Sequence, residues 1–254
     1  MLRKRLIPSL LLRSGGGLVK TQKFSEPKYV GDPINAVKIF NEKEVDELFL
    51  FDIHATRDRR RPNFKMIEEI VSEAFMPVGY GGGVKTLDDA RTLLALGVEK
   101  VAINTAALAG LSFVTELKNA FGAQCVVGVV DVRKRFFGGT QVHSHSGAKV
   151  TEPDPLAWAQ KLVEAGAGEI LLQSVDRDGT MSGFDLDLLR SFDRRLPVPL
   201  VAAGGAGSVQ HMRDAFNACQ LSGLAVGARF VYQGSLRGVL INYLSRAELD
   251  SLSS

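Results

Sequence analysis

The sequence predicts an α/β fold, a single (β/α)8 barrel spanning residues 1–254 and built from two similar half-barrels, about 1–122 and 123–245. Three observations carry this prediction. Eight short apolar runs are spread along the chain, helical patterns lie between them, and the second half repeats features of the first.

The runs are "RLIPSLLL" (5–12), "ELFLFDI" (47–53), "MPVGY" (76–80), "KVAIN" (100–104), "CVVGVVDV" (125–132), "EILLQSV" (169–175), "VPLVAAGG" (198–205) and "LAVGA" (224–228). They are continuously apolar rather than alternating, as expected of parallel strands covered on both faces. Helix signals fill the gaps. "DPINAVKIFNEKE" starts with an N-cap aspartate, Asp32, followed by proline in the first turn. "TLDDARTLLALG" starts at Thr86, carries acids in its first turn and closes on Gly97. An open doubly wound sheet is the alternative, but no GxGxxG follows the first run. The repeat is visible in two places. "ELFLFDI" and "EILLQSV" lie 122 residues apart, as do "GGVKTLDDAR" and "GGAGSVQHMR". "IPSLLL" precedes "VGVVDV" by about 120, which makes Leu11 the counterpart of Asp131.

The formal charge of +3 argues against a nucleic-acid partner, which calls for a concentrated basic face. "RDRRRP" (57–62) reads first as a solvated loop and second as an anion or partner contact. Cys125 and Cys219 read as buried free thiols of a reducing compartment. The start imitates a signal peptide, but Pro8 interrupts its apolar run, Arg13 ends it and no small-x-small site follows. No run is long enough to span a bilayer, so the expectation is a cytoplasmic protein without a membrane partner.

In such a barrel the chemistry sits at the C-terminal ends of the strands. Asp131 ends the fifth run, and position alone leaves a loop cap and a general acid or base evenly matched. Asp52 ends the second run and Asp178 lies in "DRDGTMSGFD", where both could orient a polar substrate. Gly82 and Gly83, then Asn104 and Thr105, follow runs three and four; Gly204, Gly205 and Gly227 follow runs seven and eight. Glycine admits close approach of backbone N–H groups to an anion, so two phosphate sites are expected, against the reading of tight turns alone. Two sites across the mouth imply a ligand with an anionic group at each end. At the other end, Arg5, Glu47, Lys100 and Glu169 each open a strand. They read as surface charges, as a weak salt-bridge cluster, or as a closable polar plug under the barrel axis. His143 and His145 are two apart, but a metal site needs further ligands that the chain does not supply; His54 and His211 read as surface or loop residues. No metal and no cofactor are expected.

"VEKVAINTAA", "GAGEILLQSVDRDGTMSG" and "AAGGAGS" resemble segments of the cyclase subunit of imidazole glycerol phosphate synthase, and the resemblance runs along almost the whole chain. It implies a (β/α)8 barrel with two phosphate sites and a glutaminase partner at its bottom. It also implies ammonia passage to the mouth and a gate of two basic and two acidic residues, which falls on Arg5, Glu47, Lys100 and Glu169. The family's two catalytic aspartates fall on Leu11 and Asp131, so one proton-transfer group is missing. Gln173 stands in place of a threonine, Ala203 and Gly227 in place of serines, and Lys20 matches a loop lysine if one extra glycine is allowed.

"IPSLLLRSGGGLVKT", "GDPINAVKIFNEKEVDEL", "GYGGG" and "GVLINYLSR" more closely resemble cyclase-like paralogues found with surface-polysaccharide genes. That resemblance implies ammonia delivery for converting a sugar's acetamido group to an acetamidino group in O-antigen biosynthesis. An ATP-dependent sugar amidotransferase is then a further partner, and the ligand is a phosphorylated small molecule or nucleotide-sugar. The alternatives are a histidine-pathway cyclase and a non-catalytic phosphate-ligand barrel.

Overall fold

The computed structural model of the chain describes residues 4–144, 152–234 and 236–253. Eight parallel strands close on themselves: β1 (Arg5–Leu12), β2 (Leu48–Asp52), β3 (Val78–Gly81), β4 (Lys100–Ile103), β5 (Val126–Lys134), β6 (Glu169–Ser174), β7 (Leu200–Ala203) and β8 (Gly223–Val226). Each pairs with the next, and β8 returns to β1 through Arg5↔Gly223 to Pro8↔Val226. This is the expected (β/α)8 barrel.

Each strand carries two apolar faces because it separates two cores. Outward residues such as Leu6, Leu10, Leu48, Leu50, Ile170 and Leu224 pack under the helices. Inward residues Ile7, Phe49, Ala102, Val127, Leu171, Val201 and Ala225 fill the barrel. That double burial is why the runs show no alternation. The filling is uneven: Phe49 and Phe51 stack with centroids 5.5 Å apart, and their rings occupy the space that side chains at Gly79 and Gly81 would need.

The helix starts follow local chemistry. Asp32 caps Pro33–Glu42 by accepting from the Asn35 N–H, and Thr86 caps Leu87–Ala95 in a reciprocal capping box with Asp89. Gly97, at φ 98°, turns the chain out of that helix.

Three hairpins rise from the mouth end. Leu18–Lys20 pairs with Lys28–Gly31 after β1, the end of β5 pairs with Thr140–Val142, and Tyr232–Gln233 pairs with Gly238–Val239 after β8. The second corrects the expected end of run five. The strand continues through polar Arg133 and Lys134, whose backbone is paired although their side chains lack the apolar signal.

Other expectations also change. The 57–62 loop is solvated as expected, with Arg57, Asp58, Arg59 and Arg61 exposed, but it is also tied down: Arg60 meets Asp52 at 3.2 Å, and Arg61 meets Asp88 at 2.8 Å and Asp89 at 2.7 Å. His211 lies within helix Val209–Ala218, half-buried, rather than on a loop. Both cysteines are free, Cys219 buried but Cys125 only half-buried. Burial pushes the Cys219 thiol up to about 12, which keeps it a packing residue. No helix among the described residues is long and apolar enough to cross a membrane.

Candidate functional site

At the bottom of the barrel four side chains form a closed ring. Arg5 donates to Glu47 at 2.5 Å and to Glu169 at 3.2 Å. Lys100 reaches Glu47 at 2.8 Å and Glu169 at 3.0 Å. Each carboxylate therefore touches both cations, and charge alternates round the ring. Burial opposes the Arg5 charge, but the two carboxylates outweigh it and hold its pKa above the ordinary guanidinium value. The side chains of Arg5 and Lys100 keep 23% and 18% exposure while the glutamates keep 3% and 8%, so the cations face the outside and the acids the interior. Above the ring the axis passes between apolar groups, chiefly Ile7, Phe49, Ala102 and Leu171.

The mouth is a cavity of about 390 Å³ rimmed by the loops after the strands. Asp131, on β5, is buried and accepts a 2.7 Å hydrogen bond from the Asn104 amide at the end of β4. Burial, and secondly the charge of Asp178, push its carboxyl up to about 7. Asp178 accepts from Thr21 at 2.9 Å and from Gln173 at 3.4 Å; burial raises its pKa and Lys20 opposes the rise.

Lys20 comes from the first hairpin and is buried, with its ammonium donating to the Ser9 carbonyl at 2.9 Å. Burial lowers its pKa to about 8, against the pull of Asp178. A side chain at Gly227 would run into that ammonium, so the lysine uses the space that the glycine leaves open. Leu11 lines the cavity on the β1 side, where it offers no proton-transfer group.

The remaining expected residues divide. Asp52 is engaged within the chain: it accepts from the backbone N–H groups of His54 at 3.0 Å and Ala55 at 2.9 Å, besides pairing with Arg60. It holds the turn after β2. Gly82 and Gly204 occupy equivalent places, with φ of 117° and 94°, each pressed against the backbone oxygen of a strand end, Asp52 and Ser174 respectively. Gly83 and Gly205 continue the same turns, also at positive φ. Asn104 and Gly227 precede the short helices Thr105–Ala109 and Ala228–Val231 with similar backbone angles, φ −125° and −101°, ψ −78° and −82°. All of these residues border the cavity. Of the two histidines read as a pair, His143 is half-buried and His145 lies outside the described residues.

Sequence reasoning missed Arg60, Thr21 and the Ser9 carbonyl. Thr21 directly follows Lys20, and that adjacency was the one available signal.

Fold and site together define a (β/α)8 barrel with a charged lock below and an acid-bearing, glycine-rimmed pocket above. Residues 5–237 match the family described as Histidine biosynthesis protein, and the chain belongs to that family. It is 52% identical over 250 residues to a Pseudomonas aeruginosa protein provisionally named imidazole glycerol phosphate synthase subunit hisF2, covering 98% of this chain and 99% of that one. A Vibrio vulnificus protein provisionally named subunit hisF3 of the same synthase is 46% identical over 249 residues, 98% of this chain and 95% of its own. The imidazole glycerol phosphate synthase subunit HisF of Streptococcus mutans is 39% identical over 232 residues, 91% of this chain and 92% of its own.

Proposed function

We propose that this chain is the cyclase-like synthase subunit of a glutamine amidotransferase complex. A glutaminase docks at the bottom of the barrel, ammonia enters through the Arg5–Glu47–Lys100–Glu169 ring, and the mouth holds a phosphorylated or nucleotide-sugar ligand. The observation that carries the reading is the closed ring beneath an apolar axis. Neutral ammonia crosses apolar surroundings at little cost, whereas ammonium would lose its hydration there. The lock is opened by moving one cation, since each of them bridges both acids.

Leu11 shapes the rest of the proposal. Asp131, poised near neutrality, suits one proton transfer, but ring closure by the related cyclases uses a second acid that β1 does not supply. Ammonia is then passed on, for acetamido-to-acetamidino conversion of a sugar in lipopolysaccharide (O-antigen) biosynthesis in the cytoplasm. An amide oxygen is a poor leaving group, so an ATP-dependent sugar amidotransferase activates the acceptor. A second reading, the histidine-pathway cyclase, is favoured by the family match and by the name of the Streptococcus mutans relative.

Two assays on the purified chain test this. One adds a glutaminase partner and follows glutamine hydrolysis. The other supplies ammonium chloride with phosphoribulosyl aminoimidazole carboxamide ribonucleotide and follows its loss by ultraviolet absorbance. Stimulated hydrolysis without turnover is expected. Turnover would establish the histidine-pathway reading instead, and failure of both assays would leave a ligand-binding barrel and sink both.

A further inference from the structure

Seven large apolar side chains are exposed among the described residues, and their placement is uneven. Phe75 stands before β3, at the bottom. The other six lie on or beside the three hairpins at the mouth, one of which is held there by the 3.1 Å bond from Arg237 to the Thr180 carbonyl. The extreme case is the β5 hairpin. Phe136 and Phe137 are 95% and 96% exposed and pack edge to face on each other, with centroids 5.1 Å apart. Arg133, Lys134 and Arg135 run directly into them, and no acid occurs from residue 132 to residue 144. Lys134 is paired with Asp185 at 3.3 Å, so the charge offered to a surface is that of Arg133 and Arg135. Leu236, 96% exposed, tips the hairpin after β8 beside Arg237.

We infer that the mouth face docks peripherally on an anionic lipid bilayer, with the 133–137 hairpin tip as its anchor. The occupant follows from the chemistry and the shape. Adjacent aromatics on a narrow convex tip bury their rings at the headgroup boundary, and the cations behind them meet anionic headgroups. That no helix among the described residues is long and apolar enough to cross a membrane is compatible with such surface contact. Docking this way turns the mouth toward the membrane and leaves the charged ring facing away from it, open to a protein. The inference stands apart from the proposed activity and needs no turnover for its test.

The full chain is to be floated with vesicles made of equal parts phosphatidylcholine and phosphatidylglycerol, and with pure phosphatidylcholine vesicles. Co-flotation with the anionic vesicles only, weakened by salt, is expected. F136S/F137S removes rings that support no core, so it folds, and it is expected to lower the bound fraction on the order of tenfold. R133Q/R135Q is expected to weaken binding by about fivefold per charge. Absence of flotation by the unmodified chain overturns the inference, as does flotation that F136S/F137S leaves unchanged. If F136S/F137S instead abolishes capture of a purified acceptor enzyme while no vesicle is bound, the tip belongs to a protein interface and the lipid assignment is wrong.

Discussion

At the mouth, the first half-barrel carries Leu11 near the end of its opening strand, while the second carries Asp131 at the matching place 120 residues on. At the bottom the inequality reverses. Glu47 and Glu169 are equivalents, but both cations of the ring come from the first half; the places corresponding to Arg5 and Lys100 hold Cys125 and Gly223. Gly223 also makes room: a Cβ there would lie 2.9 Å from the Arg5 carbonyl oxygen. The helix caps diverge too. Thr86 and Asp89 form a capping box, whereas Ser208 and His211, at the equivalent positions, share only the bond from the His211 N–H to the Ser208 hydroxyl. A repeated frame thus carries chemistry that is complete only when both halves close on each other. The second half alone would leave Glu169 without its two cations, and the first alone would leave Arg5 and Lys100 sharing the single carboxylate of Glu47.

The comparison is broken most severely by giving the first half the acid it lacks. Leu11→Asp is expected to raise turnover of the cyclase substrate with ammonium chloride by about 10²–10⁴-fold over the unmodified chain, the usual worth of a proton-transfer group. No gain would mean that the changes at Gln173, Ala203 and Gly227 matter more than Leu11.

The second half's acid should be visible in stability. Burial holds the folded Asp131 carboxyl at about 7, above the unfolded value near 4. The folded state therefore binds the extra proton between these values, and stability falls as pH rises through that window and levels off above it. Asp131→Asn is expected to flatten this slope and to stabilise the fold at pH 8 by on the order of 2–4 kcal/mol, as read from urea unfolding at several pH values.

Removing a first-half cation makes the bottoms of the two halves alike. Lys100→Met leaves two buried carboxylates sharing Arg5 and is expected to cost on the order of 3 kcal/mol in urea unfolding and to uncouple glutaminase-derived ammonia from the acceptor reaction. An unchanged midpoint would show that the ring is only a surface cluster. Gly223→Ala, which crowds Arg5 from the second half, is expected to lower stability by about 1–3 kcal/mol in thermal unfolding. Smallest of all, Thr86→Ala and Ser208→Ala are each expected to cost about 1 kcal/mol, the first slightly more because Asp89 also loses the geometry of its reciprocal bond. Equal losses would mean that the capping box adds nothing beyond the cap itself.

Much of the fold was legible because its causes are local or periodic. Double burial makes strands such as β2 and β6 continuously apolar, and Asp32 and Thr86 announce helix starts by side-chain chemistry. The second hairpin was not legible, since Arg133 and Lys134 extend β5 through backbone pairing that leaves no apolar trace. Nor was the commitment of Asp52 to Arg60 and the following turn, because a strand-end aspartate looks the same whether it caps a loop or faces a substrate.

By itself the sequence determined the class of fold, the twofold repeat and the absence of an acid at position 11, each of which depends only on residue identity and spacing. Closure of the barrel decided the rest. Closure brings Arg5, Lys100 and Glu169, each opening a strand, and Glu47, just before β2, into one ring, and it lays Lys20 into the space beside Gly227. Charge pairing and desolvation act over a few ångströms of space, not along the chain. For that reason the four residues of the lock could be named from the sequence, but their mutual pairing, the raised Asp131 carboxyl and the basic aromatic rim came into view only with the tertiary structure.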